Sequence, residues 1–224
     1  MSVTAIPLVQ PDLAEGASQA DRAYQEIRAL IVTGELGPGS LISEPDLQGQ
    51  LGLGRTPIRE ALRTLAHERL VEVYPRRGMF VAALDPRDLS ALSEVREESE
   101  PFAARLAAER RTEEDLAEIE QLLLTIDVMA SAPDARGLIE LDQRIHHQVY
   151  RWAHNDFLQA VCAQHYMHAL RIWFLALDRV PNLNEAVTEH RDLLLAIRDG
   201  DPEVAAEVMS RHVRGFEAEI RRAI

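Results

Sequence analysis

The sequence predicts a mainly α protein: an N-terminal winged helix-turn-helix (three helices plus a β-hairpin) followed by an all-α antiparallel bundle of about six helices. Three observations predict it. Between about residues 21 and 81, helical periodicity is interrupted twice by glycine-containing turns and then gives way to alternation. From Asp85-Pro86 onward only helical periodicity remains. The stretch GRTPIREALRTL, residues 54–65, carries arginines at four-residue steps in a chain of formal net charge −13 that contains no lysine.

The first helix is expected from about Asp21 to Thr33, where Ala23, Ile27, Leu30 and Ile31 recur at helical spacing and Asp21 suits the N-cap. Gly34, Gly37, Pro38 and Gly39 end it. Ser43-Glu44-Pro45 opens a short second helix through Leu51, and Gly52-Leu53-Gly54 makes a tight turn. The third helix starts at Thr56-Pro57, with Thr56 as cap. On a helical wheel Ile58, Ala61, Leu62 and Leu65 share one face, and Arg55, Arg59 and Arg63 the adjoining one. After Leu70, alternation in Leu-Val-Glu-Val-Tyr and in Met-Phe-Val predicts two strands joined across Pro75-Arg76-Arg77-Gly78.

The rear helices are broken at Ser131–Asp134, around His154-Asn155-Asp156, at Pro181–Asn184 and at Gly200-Asp201-Pro202. Asp85, Asp134 and Asp201 suit caps, and Pro86 and Pro202 the first helical position. The expected organisation is a mobile arm over 1–18, the winged domain over 19–84 and the helical domain over 85–224. A single cysteine, Cys162, excludes an internal disulfide framework and points to a reducing, cytoplasmic location. No apolar run is long enough for a membrane span.

The negative charge is uneven. Residues 86–224 carry 16 Arg against 26 Asp and Glu, whereas six Arg face three Glu within 55–77. The global balance argues against indiscriminate polyanion binding, while the window permits a focused contact. A helix-turn-helix sets the start of its second helix against base edges in the major groove. Arginine suits that place because its planar fork pairs with guanine O6 and N7 and also with phosphate. Arg55 and Arg59 therefore reach bases and Arg63 phosphate. Arg76, Arg77 and Gly78 form the wing tip, and Ser43 and Thr56 add phosphate contacts from helix N-termini.

The run SEPDLQGQLGLGRTPIREALRTLAHERLVEVYPRRGMFVA resembles the winged helix-turn-helix of GntR-type bacterial transcription regulators. The resemblance gives Arg55 and Arg59 the base- and phosphate-contacting roles and Gly78 the wing turn. The chain departs from the family pattern at Gly54, where a serine or threonine is usual, and at Pro45, where some members carry an arginine.

In the rear domain Asp142 and His146 lie four apart on one helical face, while His147 points elsewhere. With His190 and His212 on two further helical segments, they make a plausible ligand set for Zn²⁺, Ni²⁺ or Mn²⁺. Spacing alone is weak evidence in a chain with eight histidines. Residues from about 86 to 222 resemble the all-helical FCD ligand-binding domain of the FadR branch. The marks are Glu94-Val-Arg96 with Glu100, Asp142-x-x-x-His146, Ala153-His-Asn-Asp-Phe-Leu158, Glu189-His190-Arg191 and Met209-Ser-Arg-His212. The length matches the smaller, VanR-like subgroup. In metal-containing members the ligands are one Asp and three His, which map onto Asp142, His146, His190 and His212.

That resemblance implies a homodimeric repressor that binds double-stranded DNA at a pseudo-palindromic operator and is released by a small organic acid. Arg96 is the foremost candidate to grip the acid, because a guanidinium can hold both carboxylate oxygens, but an ion pair with Glu100 explains it equally well. Arg171 and Arg191 are further effector-binding candidates. Two other classes stay open: a helical metalloenzyme performing metal-assisted hydrolysis, with Glu189 the one carboxylate adjacent in sequence, and a metal-stabilised module binding an acidic protein.

Overall fold

The computed structural model describes residues 17–83, 86–131, 135–176 and 183–223. Most of the expected N-terminal arm, the caps Asp85 and Asp134, and the break at Pro181-Asn182 lie outside the described residues. The chain divides into two compact units, the first running to Asp85 and the second from Pro86, with Leu170–Leu175 grouped with the first.

The first unit opens with α1 (Gln19–Val32). Its N-cap is Ser18 rather than Asp21. The Ser18 hydroxyl accepts from the Asp21 N–H at 3.1 Å, and the Asp21 carboxylate accepts from the Ser18 N–H at 3.0 Å. Two donors left over by the helix end are thus satisfied reciprocally, so the helix starts earlier than its apolar rhythm suggests. Next come β1 (Leu41–Ile42), α2 (Glu44–Leu51) and α3 (Arg55–His67). Ser43 caps α2, and Gly52 closes it in the left-handed region at φ 64°.

α3 begins two residues earlier than expected. Gly54 occupies the N-cap position with no side-chain cap bond, so Thr56 sits inside the first turn. Pro57 is tolerated there because the first N–H groups of a helix have no intrahelical partner.

The hairpin strands are β2 (Val71–Tyr74) and β3 (Gly78–Val81). β3 lies between β1 and β2, antiparallel to both, with Leu41 opposite Phe80 and Tyr74 opposite Gly78. β1 was not expected, because two residues are too few to show alternation. Ile27, Ile31, Ile58, Leu62, Leu65 and Val81 form the buried heart of the unit. Burying that face of α3 fixes its arginine face outward.

The second unit holds α4 (Pro86–Arg110), α5 (Glu113–Ser131), α6 (Ala135–Trp152), α7 (Asp156–Ala176) apart from Leu170–Leu175, α8 (Leu183–Asp199) and α9 (Pro202–Ala223), with no strand among the described residues. The break between α4 and α5 was not expected. Thr112 makes it: its hydroxyl accepts from the Asp115 N–H at 3.2 Å while the Asp115 carboxylate accepts from the Thr112 N–H at 2.8 Å. Asp201 caps α9 as expected, accepting from the Val204 N–H at 3.1 Å. α8 packs against both α6 and α9, which brings together the helices carrying Asp142, His146, His190 and His212. Among the described residues no helix is long and apolar enough to cross a membrane.

Candidate nucleic-acid interface and metal centre

Arg55, Thr56, Arg59 and Arg63 are all exposed on α3. The structure adds a partner that sequence spacing does not reveal. The Arg55 Nε–H donates to Glu44 Oε2 at 3.4 Å, and the Arg59 Nε–H donates to Glu44 Oε1 at 3.2 Å. Glu44 is the first residue of α2, separated from these arginines by 11 and 15 residues, so the pairing depends on how α2 packs against α3. Ser43 is half-buried and its hydroxyl is engaged in capping, accepting from the Asp46 N–H at 3.3 Å.

At the hairpin tip Arg76, Arg77 and Gly78 are exposed. Arg76 adopts φ 63° and Gly78 φ 106°, while the Arg77 N–H closes the turn on the Tyr74 carbonyl at 3.1 Å. The Arg77 guanidinium lies 5.8 Å from the Tyr74 ring centroid, which steadies it without consuming its donors.

In the second unit Asp142, His146, His190 and His212 are all buried, and one ligand atom from each lies within 4.8 Å of the others. Asp142 Oδ1 stands 3.2 Å from His190 Nε2, 3.6 Å from His146 Nε2 and 3.9 Å from His212 Nε2. His146 Nε2 and His212 Nε2 are 3.1 Å apart. Donor atoms that share one ion at about 2.0–2.2 Å stand roughly 3–3.5 Å from each other; the 3.1 and 3.2 Å separations fall in that range and the 3.6 and 3.9 Å ones lie slightly beyond it.

Protonation supports a common ion. The Glu189 carboxylate accepts from His212 Nδ1 at 3.0 Å, which places the proton outward and leaves the Nε2 lone pair facing the cluster. Burial, reinforced by neighbouring His190, pushes the His212 imidazole down to about 4 and keeps it neutral. His190 Nε2 is buried without a hydrogen-bond partner. Inward lone pairs and a carboxylate oxygen repel one another unless a cation lies between them, and a buried donor atom without a partner is costly. Burial pushes the Asp142 carboxyl up, but His146, His190 and His212 together outweigh it and hold it well below the usual carboxylate range.

Outer partners fix this set in place. The Tyr166 hydroxyl donates to Asp142 Oδ2, and the Tyr166 ring stacks on His146 with centroids 4.6 Å apart. His146 Nδ1 lies 3.0 Å from the Tyr150 hydroxyl and 3.2 Å from Glu100 Oε2. Such outer contacts orient metal ligands and set their tautomers. Tyr150, four residues after His146, was not singled out from the sequence, although that spacing places the two on one helical face. Tyr166 and Glu100 reach the cluster from other helices and were not legible from spacing.

Of the effector-binding candidates, Arg96 is linked to the cluster through Glu100, whose Oε2 lies 3.2 Å from His146 Nδ1. The Arg96 Nε–H donates to Glu100, and both side chains are buried. Its guanidinium sits 5.4 Å from the Phe216 ring and 5.9 Å from the Tyr166 ring. Arg191 is partly exposed and pairs with Asp127 at 3.5 Å. Arg171 is buried among the residues grouped with the first unit and donates to the Ala82 carbonyl. The structure therefore brings Arg96 to the cluster and engages Arg171 and Arg191 elsewhere. His147 is not part of the ligand set, as its place on the wheel predicts.

Comparison with known proteins gives consistent results. Residues 19–81 match the model of the bacterial regulatory proteins of the gntR family, and residues 91–215 match the FCD domain. The galactonate operon transcriptional repressor of Escherichia coli strain K12 is 34% identical over 214 residues, covering 85% of this chain and 91% of that protein. The "Probable D-xylose utilization operon transcriptional repressor" of Paenarthrobacter nicotinovorans is 30% identical over 186 residues, covering 83% and 81%. In fold, the chain is similar to Escherichia coli McbR/YncC, with a TM-score of 0.80 at 23% identity, covering 92% of this chain and 98% of that one.

Proposed function

This chain belongs to the gntR family of bacterial regulatory proteins and carries an FCD domain, and from that premise we propose that it reads a pseudo-palindromic operator as a homodimer and leaves it when a small organic acid binds beside a divalent transition metal. At the coarser level it is a transcriptional repressor with an FCD effector-binding domain, in line with the two repressors named above, and not an enzyme. In the proposed division of labour residues 19–84 read DNA and residues 85–224 bind metal, effector and the second subunit. Arg55 and Arg59 contact bases, Arg63 contacts phosphate, and Arg76, Arg77 and Gly78 carry the wing, with Ser43 and Thr56 at helix starts facing the backbone. Asp142, His146, His190 and His212 hold the metal, with zinc favoured and nickel or manganese possible for this ligand chemistry.

The observation that carries the metal half is the set of mutually facing, buried acceptors on α6, α8 and α9. A bound metal supplies a positive centre able to take an anionic oxygen. Residues on three helices then share one anchor, so an acid arriving there can alter how those helices sit. A repressor responds only if the acid binds its DNA-free form more tightly than its DNA-bound form. The name of the galactonate operon repressor makes sugar acids the first class to try.

Two measurements test the two halves. Arg59→Ala should cost about 1–3 kcal/mol of specific binding if Arg59 reads a base. Unchanged affinity for the cognate duplex would remove that role. In a thermal-shift screen of metal-loaded protein, one or more small organic acids should raise the melting midpoint, because a ligand that binds the folded state stabilises it. A screen across sugar acids and small dicarboxylates with no shift would sink the effector reading and leave the DNA reading standing.

A further inference from the structure

We infer that Glu44 positions both recognition arginines before DNA arrives and thereby raises specificity at some cost in general affinity, an inference that rests on the DNA-reading roles proposed for Arg55 and Arg59. One carboxylate serves both side chains. Glu44 Oε2 accepts from Arg55 and Oε1 accepts from Arg59. In each pair the arginine uses Nε, so the Nη edge that can pair bidentately with guanine or grip a phosphate is left for DNA.

A plainer account exists and is insufficient. An acid in the first turn of a helix is favoured by the helix dipole, and Glu44 and Asp46 both occupy the first turn of α2. The dipole does not explain why the carboxylate spans two arginines on a different helix. Nor is stability a strong reason, since the arginine side chains are 68% and 48% exposed and pairs this open contribute little. At a DNA-facing surface a carboxylate repels phosphate, so Glu44 weakens the attraction to every duplex alike. It is useful where the arginines must be aimed, because holding two long side chains in place beforehand removes rotamer freedom that binding would otherwise have to remove.

That reasoning fixes opposite signs for two affinities. The probes are a duplex enriched from a randomised pool by the full-length wild-type chain, and a scrambled duplex of the same composition, both at one fixed salt concentration. Glu44→Ala should bind the scrambled duplex as tightly as wild type or roughly two- to fivefold more tightly, through loss of a negative charge. It should bind the selected duplex about tenfold more weakly, through loss of aim. Glu44→Gln, which keeps one oxygen acceptor, should fall between wild type and Glu44→Ala on the selected duplex. In an Arg59→Ala background the effect of removing Glu44 on that duplex should shrink.

A merely structural Glu44 would move both affinities down together, and a merely electrostatic one would move both up. Either result overturns the positioning role, as does an unchanged affinity for the selected duplex. A wild-type chain that enriches no duplex would remove the DNA reading itself, and this inference with it. Enrichment by wild type with no split in Glu44→Ala removes the inference alone.

Discussion

Glu100→Ala is expected to destabilise the second unit by about 3–5 kcal/mol, the usual cost of breaking a buried ion pair from one side. Glu100 is fully buried and Arg96 nearly so, and the carboxylate accepts from the guanidinium Nε–H one helical turn away on α4. Removing the carboxylate strands a guanidinium that cannot shed its proton in the interior. The Phe216 and Tyr166 rings near Arg96 offer only weak compensation.

The same pair need not be net stabilising against an apolar replacement. Arg96→Met combined with Glu100→Leu should therefore recover much of the loss. Urea denaturation in a Trp173→Phe background, which leaves Trp152, buried on α6, as the one fluorescent tryptophan, would report the second unit. A loss below about 1 kcal/mol for Glu100→Ala would show that the pair is dispensable, since cost on that scale is ordinary for any substitution.

Arg96 is the side chain where the proposed effector role and stability would meet. The sequence allowed it to grip an acid or to pair with Glu100, and the structure shows the pair. The two uses are compatible only if the effector reaches Nη atoms while Glu100 keeps Nε. Glu100 also lies 3.2 Å from His146 Nδ1, so a change at Arg96 can be felt by a proposed metal ligand through one intervening carboxylate. The same arrangement recurs in the first unit at Glu44, where an acid holds an arginine by Nε and leaves its outer edge available.

Much of this was legible in the sequence, and the failures have physical causes. The α3 face was readable because Ile58, Ala61, Leu62 and Leu65 repeat at helical spacing beside the arginines, and all four are buried. The starts of α1 and α3 were misplaced because caps lie outside the apolar rhythm: Ser18 precedes the first buried position by five residues, and Gly54 caps with no side chain at all. Thr112 and Asp115 carried a capping signature that helical periodicity on both sides obscured.

At the metal centre spacing linked Asp142 to His146, because four residues are one turn. It could not bring His190 and His212 to them, since that depends on how α8 and α9 pack. Glu44 was invisible for the same reason: an ion pair across 11 or 15 residues leaves no periodic trace.

His190→Ala should reduce bound metal from about one per chain to near zero, the largest functional loss expected of any single substitution in the second unit. Its Nε2 is buried and lies 3.2 Å from Asp142 Oδ1, another member of the same cluster. Losing a direct ligand should weaken affinity by more than the roughly 10–100-fold that losing an outer partner costs. Elemental analysis after reconstitution with zinc, nickel and manganese in turn would measure this. A wild-type chain that retains none of the three would sink the site.

Stability separates a lost ligand from a damaged fold. In wild type, chelation should lower the melting midpoint, since an ion present at about 100 times its dissociation constant adds about 2.7 kcal/mol to the folded state. In His190→Ala chelation should change little, and the variant should melt near the chelated wild type, because alanine removes a ring that repels its neighbours when no cation lies between them. A variant that melts far below chelated wild type would instead mean that His190 packs the helices, and that its place beside Asp142 serves the fold before it serves a metal.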